Sequence, residues 1–460
     1  MRAVWAACAL FAAVISTLAV DRYLTYHYGA DLGLFTQTVA SAFHGFHNQV
    51  EHGNHFMVHF SPVYYALAPI LAVVPSPLTL QVLQAIACAL TAPPLYLFAR
   101  RRLDARLAPA VAIVALLYPP LLAMSLSEFH ENAFAPAAIA WLLWAADRRS
   151  WLPAACFAAL TLCIKEDEAV SLAIIGAGYM VFSLRKQDRT AAIFAGSVAL
   201  AALTVLVVYF GVIQPHAGGR WFVADFFVGH EADRPHGQQA LTGRLTFLLE
   251  VFGPLALVPL ASRWVWLALP GLVEVLSSHW PVTYTMGTHY AGIWIAYVLF
   301  AFADGLAGIA RTNVARAGLL MRASVVLCVL NLVVASPAHW AHYYRLRTAH
   351  DAVLDRIIAQ LPGDADAGSF DEAYTHMSLN PNARIGMYTT PDFFLYDSHY
   401  DGATWRVSIV PRLAAVVCAG YFAPLASEDG VTLFRRLGPV PTEVYIRAKS
   451  SPPQCLRKYM

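Results

Sequence analysis

The chain has 460 residues, of which 58% are hydrophobic and only 13% charged. A soluble domain carries about 25% charged residues, so this composition excludes a soluble globular protein and implies a polytopic membrane protein. The net charge of +2 is too small to argue for a nucleic acid or another polyanion as partner.

A spanning helix needs about 20 mainly apolar residues. In chain order, stretches near 3–20, 78–99, 107–124, 133–146, 151–164, 168–184, 190–212, 245–261, 264–277, 290–310 and 318–336 qualify, and they predict eleven spans. The first, "MRAVWAACALFAAVISTLAV", lacks a small-x-small cleavage site before Asp21 and reads as a retained helix rather than a signal peptide. Basic residues orient the spans. Arg100, Arg101, Arg102 and Arg106 share one loop; Arg148 and Arg149 share the next. Arg185, Lys186 and Arg189 follow, then Arg263, then Arg311, Arg316 and Arg322. With eleven spans and the N-terminus inside, all five sets fall on the cytoplasmic side, as the positive-inside rule requires.

The opposite side then carries the polar inventory. It holds a first loop at 21–77 with "HYGADLGLFTQTV" and "NHFMVHFSP", then "SLSEFHENAF", then "KEDEA". A second long loop at 213–244 contains Arg220, Trp221 and Asp225, and "SSHWPVTYTMGTHY" follows. The stretch "HFSPVYYALAPILAVVPSP" is apolar, short and punctuated by proline, and predicts one or two helices lying on the membrane. The sequence divides into a transmembrane domain, 1–338, and a small exoplasmic domain, 339–460. In the latter, "HDAVLDRIIAQLP" has helical spacing and ends at Pro362, while "RLAAVVCAGYFAPLA" and "GVTLFRRLG" alternate with turn residues. An α/β domain is expected there. Five cysteines lie in apolar runs, where a thiol behaves as a small hydrophobe. Cys418 and Cys455 form a pair only if the tail is exported and geometry allows. No CxxC metal spacing occurs.

Ionisable groups at membrane depth are costly, so they pair, line a wet cavity or act on a substrate. Each cluster also has a plain reading. Asp31 suits the N-cap of a helix beginning at Leu32. His59 suits the headgroup zone, and "EFHEN" an ordinary polar loop. Lys165 suits an ion pair with a neighbouring acid, and Glu166 the start of the next helix, where a carboxylate is favoured. Convergence on one side raises the functional reading.

The ordered set "ADLGLFTQ", "HFSPVYYALAP", "EFHENAFA", "KEDEA" and "THYA" resembles a family of prokaryotic polytopic membrane proteins, the domain of unknown function number 2079. The resemblance runs from about residue 20 to the C-terminal domain. That family looks like a branch of the GT-C glycosyltransferases, whose wider relatives include oligosaccharyltransferase, protein O-mannosyltransferases and aminoarabinose transferases. The resemblance implies a GT-C-like helical membrane fold and a sugar donor carried on polyprenyl phosphate or diphosphate. It implies an essential acid in the first exoplasmic loop, a position Asp31 matches. It implies an acidic or metal-binding position in the second, which Glu128 and His130 match. The chain departs from the family's commoner "FHPE", having Glu131 directly after His130. It also lacks the paired acids that many GT-C members carry near the first acid.

The expected reaction is inverting transfer from a polyprenyl-phosphate sugar to a hydroxyl on a lipid, glycan or protein acceptor. It would take place on the exoplasmic face of a prokaryotic inner membrane. Asp31 would take the acceptor proton. Lys165, Arg220, His59 and His289 would stabilise the leaving phosphate, with Glu166 holding Lys165. Glu128, His130, Glu166, Tyr290 and Gln37 would contact substrate or support those that do, with Trp221 and Trp280 available to stack on sugars. A divalent cation (Mg, Mn or Ca), if used, would sit at Glu128 and His130. Two other classes stay open: a transporter, for which Glu250, Glu274 and Asp304 in apolar runs would matter, and a non-catalytic envelope binding or assembly protein.

Overall fold

The computed structural model describes residues 1–220, 238–335, 344–402 and 405–446. Trp221, Asp225 and Cys455 lie outside these residues, while Cys418 is disulfide-bonded. The chain divides into two compact units. The first gathers Met1–Ala19, His55–Ala66 and Gln81–Tyr344; the second gathers Val20–Asn54, Leu67–Leu80 and Arg345–Met460. Part of the first polar loop thus groups with the C-terminal residues.

The helices up to residue 330, in chain order, begin with α1 (Arg2–Leu24), α2 (Ala30–Ala40), α3 (Val63–Val73), α4 (Pro77–Ala89), α5 (Ala92–Ala99), α6 (Leu107–Leu117) and α7 (Pro119–Leu126). Then come α8 (Ala135–Asp147), α9 (Trp151–Leu162), α10 (Glu166–Arg185), α11 (Arg189–Val208), α12 (Gln238–Phe252), α13 (Leu269–Ser277), α14 (Gly292–Thr312) and α15 (Val314–Leu330). Six helical stretches among the described residues are long and apolar enough to cross a membrane: Arg2–Leu24, Pro77–Ala99, Glu166–Arg185, Arg189–His216, His289–Thr312 and Val314–Val334. The α6–α7 pair, bent by 43°, makes up to seven. The bend falls where Pro119 and Pro120 follow Tyr118, because proline lacks the donor that a continuous helix needs.

The expected count of eleven is therefore not reached by length and composition. Four of the expected stretches form shorter pieces. Helices α8 and α9 have 13 and 12 residues. The run near 245–261 breaks at Gly253–Pro254 and passes through left-handed backbone at Ala256 and Leu257. The run near 264–277 is six residues of 3-10 helix followed by the nine of α13. Their apolarity serves packing as much as spanning. The stretch His289–Thr312, which contains α14, shows the extreme: 78% of its most apolar part is buried, against 22% for the neighbouring Val314–Val334. A helix apolar on all sides occupies the centre, and one with an exposed apolar face meets lipid. The stretch "HFSPVYYALAPILAVVPSP", expected to give one or two helices lying on the membrane, holds the eleven-residue α3.

The second unit holds α2 and a small α/β fold. Its C-terminal elements are α16 (Ala349–Ile358), β3 (Ala367–Ser369), α17 (Asp371–Met377), β4 (Ala383–Ile385), β5 (Phe393–Asp397), α18 (Val410–Cys418), β6 (Phe422–Glu428) and β7 (Val431–Arg436); β1 (His47–Asn48) and β2 (Gly53–Asn54) form a separate short ladder. The five-stranded sheet has the order β4-β3-β5-β7-β6. Strand β3 pairs parallel with β4 and β5, and β7 pairs antiparallel with β5 and β6. Phe370, Phe394, Tyr396, Trp405, Leu413 and Phe434 form the core between sheet and helices. Helix α16 starts with a capping box, Thr348 to Asp351 and back.

Candidate functional site

In the first unit, four helices begin at one cluster. Chain segments just before α3, α8, α10 and α14 supply His59, Glu131, Lys165 and Tyr290. The Val63 amide donates to the Cys163 carbonyl at 2.8 Å, tying the start of α3 to the approach of α10. A Cβ on Gly292 would lie 2.5 Å from the Asn132 carbonyl oxygen. Only glycine lets the first turn of α14 rest on the turn ahead of α8. Helix N-termini carry partial positive charge and unpaired amides, so their convergence favours anions.

The side chains interlock. Tyr64 donates to one oxygen of Glu131 in a short hydrogen bond. The Lys165 ammonium lies 3.8 Å from the other oxygen of Glu131 and 3.4 Å from Asp167. Tyr290 places its ring centroid 6.0 Å from the ammonium. The expected Lys165–Glu166 pairing is replaced. Glu166 takes His59 Nδ1 at 2.7 Å on one oxygen and the Phe60 amide at 2.8 Å on the other. Its carboxylate follows the extended Lys165 backbone, and so faces the segment that precedes α3. Glu131, Tyr64 and Lys165 are almost fully buried.

These charges shape one another. Burial disfavours the Lys165 ammonium, but Asp167, Glu131 and Glu166 outweigh it and hold the group above its ordinary value. Burial pushes the Glu131 carboxyl up, and Lys165, His59 and the other histidines overcome that, bringing it to about 2. Burial and Lys165 push His59 down, while Glu166 and Glu131 leave it raised.

His289 stacks on His130 with ring centroids 3.6 Å apart. His130 turns Nδ1 to the carbonyl oxygen of Glu128 at 3.1 Å, which assigns that nitrogen a proton. Among the described residues, no set of three His, Cys, Asp or Glu ligands closes around Glu128 and His130. These two residues alone make an incomplete ligand set for a divalent cation. Arg220 is exposed and follows Gly219, which packs on the Met57 backbone.

Asp31 and Gln37 belong to the second unit. Helix α2 begins at Ala30 with Gly29 as its N-cap, so Asp31 lies in the first turn instead of capping the helix. Its carboxylate still meets the positive end of α2. Gln37 cannot serve a substrate. Its Nε2 donates to the Asn380 and Ala383 carbonyls at 2.8 Å each. Its Oε1 accepts from the Gln49 amide at 3.0 Å and the Tyr374 hydroxyl at 2.8 Å. That exhausts the amide and makes Gln37 a fastener.

Two groups escaped the sequence reading. Tyr64 lies inside "HFSPVYYALAP", but only the fold aims its hydroxyl at Glu131. Asp371 is the second. Burial raises its carboxyl and the charge of Asp31 raises it further, so an acid remote in sequence stands near Asp31. Asp371 lines a cleft with Tyr388, Tyr400 and Trp405.

The sequence model described as "Predicted membrane protein (DUF2079)" matches residues 23–344. No curated protein sequence matches the chain. In fold the chain is similar to ArnT from Cupriavidus metallidurans bound to undecaprenyl phosphate, at 12% identity and a TM-score of 0.54 over 94% of this chain and 99% of that one. It is also similar to the archaeal oligosaccharyltransferase AglB from Archaeoglobus fulgidus, in complex with an inhibitory peptide and a dolichol-phosphate. That likeness has 12% identity and a TM-score of 0.50 over 92% of this chain and 72% of that one. The family match spans more than half of the sequence, and the chain belongs to the DUF2079 family of membrane proteins, with a fold like those of ArnT and AglB.

Proposed function

We propose that the chain is an inverting membrane glycosyltransferase that moves a sugar from a polyprenyl-phosphate carrier to an acceptor hydroxyl. The observation that carries this reading is the cluster at the start of α3, α8, α10 and α14, in a fold shared with proteins solved with undecaprenyl phosphate and dolichol-phosphate. Lys165 contacts its acids at 3.4 and 3.8 Å. These are longer than a good hydrogen bond, and three N–H donors leave capacity for a phosphate. His59, His289 and Arg220 are the further candidates for the leaving phosphate, and Tyr290 flanks Lys165. Asp31 acts as general base: it takes the acceptor proton as the oxygen attacks the anomeric carbon, and polyprenyl phosphate departs from the opposite face.

Sidedness has its own support. Arg101 and Arg102 pair with Asp147, and Arg149 pairs with Asp188, which joins three basic loops at one end of the helices. The 20 residues of α10 separate that end from Lys165 by about 30 Å. The positive-inside rule supports arginines in the cytoplasm and, with them, a cluster on the exoplasmic face.

One observation favours a transporter instead: Glu168 is fully buried and neither carboxylate oxygen has a hydrogen-bond partner. The test is purified protein with a panel of polyprenyl-phosphate sugars, following sugar release with and without EDTA. Glycosyl transfer predicts release with at least one donor and a loss of about 10²–10⁴-fold in Asp31→Asn, with melting unchanged. Full activity in that variant sinks the base assignment, and no binding or turnover of any donor sinks the enzyme.

A further inference from the structure

The second unit carries a cluster outside the proposed chemistry. His350 sits in the first turn of α16, His399 two residues beyond β5, and Asp429 in the turn between β6 and β7. That turn is Asp429–Gly430, with φ of +47° and +76°, between the paired Glu428 and Val431. This is the Asp-Gly signature of a tight two-residue hairpin. A Cβ on Gly430 would strike the Ser398 hydroxyl, so glycine lets the turn close on the end of β5.

Asp429 and His399 each bring a potential ligand atom to His350 Nδ1, and His350, His399 and Asp397 together hold ligand atoms within 4.8 Å of one another. His350 Nδ1 lies 3.0 Å from Asp429 Oδ2 and 3.2 Å from His399 Nδ1. Ligands about 2.0–2.1 Å from a tetrahedral zinc are about 3.3 Å from one another. Behind them stands Asp397, only 4% exposed. Its Oδ2 lies 3.1 Å from His350 Nε2, and its Oδ1 accepts the His399 backbone amide at 2.8 Å. A metal-bound histidine commonly donates its other N–H to a carboxylate, which fixes tautomer and ring orientation. Asp397 stands in that position for His350 and also fixes the backbone of His399. The exposed faces of His399 and Asp429 leave a path for an ion and for water.

We propose that His350 Nδ1, His399 Nδ1 and the Asp429 carboxylate form a zinc-class divalent metal site, oriented by Asp397, that pins α16 and the β6–β7 turn to the end of β5. Two imidazoles and one carboxylate suit zinc better than magnesium or calcium, which prefer all-oxygen shells. The site would brace the C-terminal fold, and does not depend on the glycosyltransferase reading.

The test uses the full-length chain in detergent, stripped with EDTA, then loaded with zinc alone or cobalt alone and desalted. Bound metal is counted by atomic emission. Wild type should hold one equivalent of zinc more than His399→Gln, and its cobalt form should show a visible d–d band that the variant lacks. Asp429→Asn should weaken zinc at least tenfold, and Asp397→Asn about 10–100-fold. His399 and Asp429 are exposed, so circular dichroism should be unchanged in their variants. Equal zinc content in wild type and His399→Gln overturns the proposal. So does a wild type that binds no zinc at micromolar concentration, which would make the cluster a histidine–carboxylate ion pair only.

Discussion

Replacing Lys165 by Met removes the cation from the buried cluster while keeping most of its bulk. Lys165 and Glu131 have side chains 4% and 1% exposed, so solvent cannot take over the neutralisation. Lys165 and the nearby histidines hold the Glu131 carboxyl at about 2 against an ordinary 4.5, despite burial. A carboxyl held down by that much contributes about 3 kcal/mol at neutral pH. This contribution is complete above the ordinary value and is lost as pH falls through the folded-state value. In Lys165→Met the burial penalty stays and the main attraction goes. Uncompensated buried charge costs about 3–5 kcal/mol at about pH 7. Below about pH 5 the variant's carboxyls take up protons, and the gap to wild type narrows. Thermal unfolding in detergent, followed by tryptophan fluorescence across that range, reads both effects. A deficit under about 1 kcal/mol, or one of the same size at both ends of the range, would refute the reasoning.

Gln37→Ala removes four hydrogen bonds in the second unit and should cost about 2–4 kcal/mol, read as faster proteolysis of the C-terminal part. Tyr64→Phe leaves one oxygen of Glu131 without its donor and should cost about 2 kcal/mol in the same melting assay. Gly292→Ala forces a Cβ against the Asn132 carbonyl, and overpacking of this kind costs about 1–3 kcal/mol. It should also weaken donor binding, because the first turn of α14 must shift; unchanged melting and binding would show that the contact gives way freely.

Apolar runs with polar punctuation were legible. Stretches such as 168–184 and 290–310 emerged as α10 and α14 with their ends nearly in place. The runs at 133–146 and 264–277 form helices shorter than a span, and apolar composition alone cannot separate a helix facing lipid from one buried in a core. The loops carrying the polar cluster stood out through the cost of placing Lys165 and Glu131 at membrane depth. Their pairings were not. Glu166 turns to His59, 107 residues away, and Gln37 turns to Tyr374, 337 residues away. No spacing rule reaches that far. Asp371 was missed for the same reason, since the second acid near Asp31 comes from the C-terminal segment.

The bonds of Gln37 also set an order of events during synthesis. Its amide is completed by Ala383, 346 residues later. A ribosome adding about 5–20 residues per second needs on the order of tens of seconds to reach that point. Through that interval the helices of the first unit enter the membrane while α2 still lacks the partners that fix it. A chain cut short before the sheet forms would carry Asp31 on an unfastened helix. Completion of the last segment thus becomes a checkpoint for the acid near the beginning of the chain.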